Sequence, residues 1–141
     1  MSAYIDNFCE NLRAKLTNVE TDMRSLKSKI ESSAATAEQE VRKNLDATKR
    51  RIEQQRGKLE GAQGDLKKWA LERKAVSDEM VAGWKNKLET ARLQSRADKA
   101  ERYAAAAAAL AAAAVDEAEQ AVLESWLARR DAQAAQSTKA A

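Results

Sequence analysis

The chain contains no histidine, no proline and only one cysteine among its 141 residues. Without histidine it lacks the commonest general base and the commonest metal ligand. A single cysteine excludes an intrachain disulfide, zinc fingers and cysteine-ligated iron–sulfur clusters. There is also no glycine-rich phosphate-binding loop followed by Lys-Ser/Thr. We therefore expect no catalytic residues, no metal site, no cofactor and no small-molecule substrate.

Closely spaced carboxylates are the remaining candidates for acid–base chemistry. They occur at Glu38/Glu40, Asp78/Glu79 and Asp116/Glu117/Glu119. All three groups lie in highly charged sequence, where we expect the side chains to be solvated. Because catalytic groups normally need a concave and partly desolvated site, the sequence favours a protein that is not an enzyme.

Large aromatic residues and long apolar runs are also scarce. Aromatics make up 4% of the chain and charged residues 33%, which is typical of long helices with narrow apolar seams. The one uncharged apolar run, residues 104–115, is about a dozen residues long where a membrane-spanning helix needs about 20. No secretory signal is visible, and the single cysteine fits a reducing compartment, so we expect a cytoplasmic location. Cys9, beside Phe8, is expected to be a small buried residue.

A heptad pattern dominates the first arm of the chain, residues 4–60. From Leu16 to Ile30 the apolar residues alternate in steps of three and four, with polar residues between them. This spacing predicts a helix that packs against another helix. Serines at 32 and 33, and Thr36 with Gln39 in capping-box spacing, offer a break. Since no glycine or proline marks the spot, we favour a continuous helix with a stutter.

Three of the four glycines fall at 57, 61 and 64. On an exposed helix face each would cost about 1 kcal/mol relative to alanine. A turn at residues 61–65 avoids that cost, with Gly61 or Gly64 ending one helix and Asp65 capping the next. A close-contact groove for a second helix is the alternative.

The second arm is predicted over residues 66–132 and is alanine-rich from residue 104. Trp69 and Trp84 lie about four helical turns apart and therefore on nearly the same side. The small side chains of residues 104–114 suit a crowded part of an assembly, and residues from Gln133 onward are expected to fray.

Together these patterns predict an all-α fold with a single helical domain over residues 1–141. We expect a long antiparallel helical hairpin or coiled coil that assembles into a multi-helix bundle as a homo-oligomer, with a protein partner also possible. The expected function is that of a self-associating scaffold or assembly subunit. The predicted packing seam consists of Leu16, Val19, Met23, Leu26, Ile30, Leu45, Ile52, Leu59, Trp69, Met80, Trp84 and Leu88.

A peripheral role on a membrane or hydrophobic granule is the alternative function. Basic residues flank the two tryptophans, as in helices that lie on such surfaces. In composition the chain is similar to phasins and exchangeable apolipoproteins, which coat lipid or polymer surfaces; the likeness covers the whole chain and has no motif behind it. The candidate surface patch consists of Lys67, Lys68, Trp69, Arg73, Lys74, Trp84, Lys85 and Lys87.

Weak nucleic-acid binding is the third hypothesis. The basic residues concerned are interleaved with acids and have no aromatic residue nearby, so they would neutralise phosphates poorly. They are Arg42, Lys43, Lys49, Arg50, Arg51 and Arg56.

Overall fold

The computed structural model describes residues 2–140, and side chains from residue 3 to residue 139. Within this range it contains four helices and no strand: α1 (Ser2–Ser32), α2 (Ala34–Ala75), α3 (Asp78–Asn86) and α4 (Thr90–Ala140). The prediction of an all-α fold is confirmed. The contacts divide the chain into two compact units. One comprises residues 1–54 with 112–141, and the other comprises residues 55–111.

The first arm is broken at Ser33, so the prediction of one continuous helix there is wrong. α1 ends at Ser32 and α2 begins at Ala34. The Ser33 hydroxyl accepts a hydrogen bond from the backbone N–H of Thr36 at 3.4 Å. Serine competes for backbone hydrogen bonds and therefore favours helix starts, which is why a break forms here without glycine or proline.

In the first unit, three helical segments pack around one apolar core. Leu26 from α1 shares this core with Val41 and Leu45 from α2 and with Leu123 and Leu127 from α4. The Lys29 ammonium of α1 and the Glu40 carboxylate of α2 lie 3.3 Å apart, on either side of Ser33 in the chain. The chain therefore reverses at Ser33, and α1 and α2 run in opposite directions.

The α4 segment of this unit runs antiparallel to α2. Arg130 contacts Glu38 at 2.8 Å, whereas Glu119 contacts Arg51 at 3.1 Å. Residue numbers therefore rise along one helix as they fall along the other. Ala37 and Thr48 are fully buried beside the core. Their small side chains allow close helix packing.

The turn predicted at residues 61–65 is wrong, because α2 continues unbroken through Gly57, Gly61 and Gly64 to Ala75. None of the three glycines has a positive φ angle, and a Cβ built on any of them meets no atom within 4 Å. No other described helix of the chain therefore packs closely against these glycines. Strong helix formers surround the glycines, and Ala62 is buried on the other face of this segment. We infer that these two factors outweigh the glycine cost.

In the second unit the chain reverses direction around α3. The Ser77 hydroxyl accepts a hydrogen bond from the Met80 backbone N–H at 3.2 Å, and Asp78 and Glu79 complement the helix dipole in the first turn. The second arm predicted over 66–132 is thus interrupted between Ala75 and Thr90. Val and Ser at residues 76 and 77 are weak helix formers, which favours a break at that point.

Leu88 has a positive φ of 53° in the turn that ends α3. The Glu89 N–H bonds to the Trp84 carbonyl at 2.9 Å, and the Leu88 N–H bonds to the Lys85 carbonyl at 3.3 Å. This is the Schellman arrangement, in which glycine usually occupies the left-handed position. A leucine there gave no sequence signal for the turn.

α2 and α4 also run antiparallel within the second unit. The Trp69 and Tyr103 rings stack with centroids 5.2 Å apart, and Lys99 contacts Glu72 at 3.7 Å. Val81 of α3 is buried in the same unit.

At its C-terminal end α4 continues to Ala140, beyond residue 132 where the second arm was predicted to end. The alanine and glutamine residues of this segment are good helix formers, and the Thr138 hydroxyl donates to the Ala134 carbonyl at 3.0 Å. Side chains from Asp131 to Lys139 are nevertheless exposed. Local propensity rather than packing therefore accounts for this helical end.

Candidate interaction surface

The N-terminal half of α1 exposes a row of large apolar side chains. They follow one another at helical spacing over about three turns, and each is between 39% and 64% exposed. We call this row the α1 stripe; it consists of Tyr4, Ile5, Phe8, Leu12 and Leu16. Contiguous apolar surface of this kind on a helix marks an interaction site more often than isolated exposed residues do.

The α1 stripe leads directly into the core of the first unit. Val19 and Met23 are half-buried, and Leu26 is buried against α2 and α4. The same heptad pattern is thus buried against other helices at its C-terminal end and exposed at its N-terminal end. Leu16, predicted in the seam, lies on the uncovered part and is 48% exposed.

Cys9 lies beside Phe8 and is exposed, so the expectation that it is buried is wrong. It shares this exposure with all of residues 3–14 of α1. Asp6 and Arg13 are seven residues apart and therefore share one flank of the helix. Neither has an ion-pair partner within the described part of the chain.

Other exposed large apolar residues are scattered. Leu71 lies on α2, Met80 on α3, Leu88 in the turn after α3, and Val122 on α4. Single exposed apolar residues are normal on protein surfaces.

Met80 and Leu88 were predicted in the seam, but they are 43% and 78% exposed. Among the other predicted seam residues, Leu26 and Leu45 are buried, and those half-buried are Val19, Met23, Ile30, Ile52, Leu59, Trp69 and Trp84.

A buried cluster of charges lies in the first unit and was missed from the sequence. Asp116 is 0% exposed and Glu119 is 4% exposed, which contradicts the expectation that these carboxylates are solvated. Lys15 of α1 bonds to Asp116 at 2.5 Å, and Arg51 of α2 contacts Glu119 at 3.1 Å and Asp116 at 3.8 Å. Each of the three helical segments thus contributes a charge to the cluster.

A periodicity signal could have revealed this cluster. Asp116 and Glu119 precede Leu123 and Leu127 at steps of three and four, so they lie on the same face of α4 as the core leucines.

Burial raises the pKa of Glu119, and the nearby charges of Asp22 and Asp116 add to this effect while Arg51 opposes it. Hydrogen bonds from Arg130 and Arg42, in contrast, lower the pKa of Glu38 on the surface.

The predicted nucleic-acid patch is largely engaged by acids of the chain itself. Arg42 contacts Glu38, Lys49 contacts Glu124, and Arg51 belongs to the buried cluster. Of the six predicted residues, Lys43 and Arg50 are exposed and have no ion-pair partner among the described residues.

The predicted membrane-surface patch divides into two groups. Trp69, Trp84 and Arg73 line one cavity of about 680 Å³ in the second unit, whereas Lys67, Lys74, Lys85 and Lys87 are exposed outside it. Lys68 lines a smaller neighbouring cavity. No helix within residues 2–140 has the length and hydropathy that crossing a bilayer requires. The described acidic and cysteine side chains form no group of three or more suited to a metal ion.

No protein-family model matches the chain, and no curated protein or solved structure matches it either.

Proposed function

We propose that the chain is a non-enzymatic, self-associating helical scaffold, and that two copies pair through the α1 stripe. The observation that carries this proposal is the exposure of five large apolar side chains in a row on a helix whose Met23 and Leu26 pack into the core of the first unit. A second helix is the natural partner for a heptad pattern. The α1 helix of another copy is such a partner, because its apolar residues have the same length and spacing.

The charges beside the stripe favour an antiparallel pairing centred near Glu10. In that register Phe8 lies opposite Leu12 of the other copy, and Tyr4 lies opposite Leu16. Asp6 of each copy then approaches Arg13 of the other, because antiparallel helices bring the same flank of each helix together. Unlike charges at such flanking positions favour the matched orientation and suppress others.

The strength of this pairing can be estimated from burial. The stripe residues are about half exposed, so covering each would contribute about 1 kcal/mol, or on the order of 10 kcal/mol for both copies. Association costs about 4–15 kcal/mol. The pair should therefore be weak and depend strongly on chain concentration.

Sedimentation velocity over a wide range of chain concentration tests the proposal. The double variant Phe8→Gln/Leu12→Gln should remain monomeric where the unmodified chain associates, because it removes two central stripe residues without touching the core. Leu71→Gln, at an isolated exposed position on α2, is the matched control and should associate normally. Circular dichroism should give the same helicity for all three proteins.

A monomeric unmodified chain at every concentration would overturn the proposal, and so would undiminished association of the double variant. The alternative of a membrane or granule surface gives a different result. In that case, the unmodified chain would stay monomeric and would float with anionic vesicles in a way that depends on Phe8 and Leu12. The stripe is less suited to this alternative, since both acidic and basic residues flank it and Lys15 is engaged by Asp116.

A further inference from the structure

A cavity in the second unit combines apolar and charged walls. It is lined by the C-terminal part of α2, by α3 and by the start of α4, and it opens to solvent. Its volume of about 680 Å³ lies within the range of about 300–1,000 Å³ that holds small organic ligands. The larger apolar side chains in its walls are two indole rings and three aliphatic groups: Trp69, Trp84, Val76, Val81 and Leu93.

Cations predominate among the charged groups of the cavity. Arg73, Arg92, Arg96 and Lys99 line it, against two acids, Glu72 and Asp78. Lys99 contacts Glu72 at 3.7 Å, and Arg92 lies over the Trp84 ring at 5.7 Å while contacting Glu89 at 3.9 Å. These contacts leave three charged lining side chains without an ion-pair partner among the described residues: the two guanidinium groups of Arg73 and Arg96 and the single carboxylate of Asp78.

Arg73 and Arg96 have no ion-pair or hydrogen-bond partner among the described residues. One comes from α2 and the other from α4, and both line the same cavity. A guanidinium presents a planar fork of donors that matches a carboxylate, sulfonate or phosphate group. Trp69 adds a buried indole N–H without an acceptor in the described part of the chain. The site thus combines flat apolar walls with unpaired cationic donors.

We propose that this cavity binds an amphipathic organic anion, whose apolar body lies between Trp69 and Trp84 and whose acidic head group is held by Arg73 and Arg96. The complementarity is one of charge as well as of shape, since a neutral or cationic amphiphile would leave both guanidinium groups unmatched. This proposal is independent of association through the α1 stripe, which lies on another part of the chain.

Binding can be measured with decanoate as the probe, at concentrations below micelle formation, through tryptophan fluorescence and calorimetry. Decanol and decyltrimethylammonium carry a similar apolar body with no charge or with the opposite charge. We expect saturable binding of decanoate, with affinity at least about tenfold higher than that of either comparison compound, since a charge-assisted hydrogen bond has about this effect. Equal binding of all three compounds, or no saturable binding of decanoate, would overturn the proposal.

Variants locate the binding site. Arg73→Gln/Arg96→Gln should weaken decanoate binding about tenfold or more and leave decanol unaffected, whereas the exposed pair Lys85→Gln/Lys87→Gln should leave both unaffected. A similar loss of decanoate affinity in the two double variants would indicate nonspecific electrostatic attraction, and it would contradict the assignment of the binding site to the cavity. If the arginine double variant loses helicity, Arg73→Lys/Arg96→Lys replaces it. That variant keeps the charge and should retain part of the affinity.

The same titration on Phe8→Gln/Leu12→Gln separates this site from the α1 stripe. Decanoate binding should persist in that variant, because no stripe residue lines the cavity. Loss of binding there would place the ligand on α1 and refute the cavity assignment. Persistence of binding together with failure of association would refute the scaffold proposal alone.

Discussion

Replacing the three glycines of α2 with alanine tests the fold at the place where the predicted turn is replaced by a continuous helix. Gly57, Gly61 and Gly64 lie in helical conformation at exposed positions, and an added Cβ meets no atom within 4 Å. Alanine therefore introduces no clash and removes the entropic cost of glycine. The expected gain is about 1 kcal/mol for each replacement and about 3 kcal/mol for all three.

Urea denaturation followed by circular dichroism measures this gain as a rise in the free energy of unfolding. Lys58→Ala is the matched control, since it replaces an exposed residue of similar helix propensity in the same segment. It should change stability by less than about 0.5 kcal/mol. A loss of stability in Gly61→Ala or Gly64→Ala would refute the reasoning, because only a left-handed or turn conformation makes alanine worse than glycine.

Three further predictions concern the turn after α3 and the buried charges. Leu88→Gly should raise the urea midpoint by relieving about 1 kcal/mol of left-handed strain, whereas Leu71→Gly on α2 should lower stability by a similar amount. Asp116→Ala should cost about 1–2 kcal/mol, because Lys15 and Arg51, both partly exposed, lose a charged partner; the same replacement at exposed Glu117 should be nearly neutral. Because the folded-state pKa of Glu119 is raised, its protonated form is favoured on folding, and stability should fall as pH rises from 4.5 through that raised value. Glu119→Gln should remove this part of the pH dependence, as urea unfolding at a series of pH values would measure.

Equal stability changes for Asp116→Ala and Glu117→Ala would show that the buried cluster contributes no more to the free energy of unfolding than a surface charge does. Identical pH profiles for the Glu119→Gln variant and the unmodified chain would contradict the assignment of that decline to Glu119. A lower midpoint for Leu88→Gly would mean that the Leu88 side chain contributes more than its 78% exposure suggests.

Helix content could be predicted from the sequence because the heptad rhythm from Leu16 to Ile30 is strong and local. The positions of the chain reversals could not. One lies at Ser33, where a side-chain cap is enough to end a helix, and the other includes Leu88 in a conformation that usually selects glycine. The glycines that would ordinarily mark a reversal lie instead inside α2. Helix-propensity differences of about 1 kcal/mol per residue are small beside the free energy that packing contributes to a long helix.

The candidate surface was only partly predictable for a related reason. Periodicity identifies which residues of α1 share a face, but it does not tell which part of that face a neighbouring helix covers. Leu16 and Leu26 belong to one pattern, yet only Leu26 is buried. The charge of Asp116 and Glu119 predicts exposure, whereas their position on the core face of α4 predicts burial, and the position prevails. The cavity depends on α3, which the sequence did not reveal as a separate helix.

Dipolar electron resonance between spin labels on Cys9 tests the central claim most directly, because the single cysteine places one label on each chain near the centre of the proposed pairing. At associating concentrations the account predicts a short interchain distance, in keeping with helix axes about 8–10 Å apart. Moving the label to exposed residue 21, with Cys9→Ala/Thr21→Cys, should lengthen the distance to about 33 Å or more, because antiparallel helices separate these positions along their axes. Short distances at both positions would contradict the antiparallel register, and the absence of any interchain distance at either position would contradict association through α1.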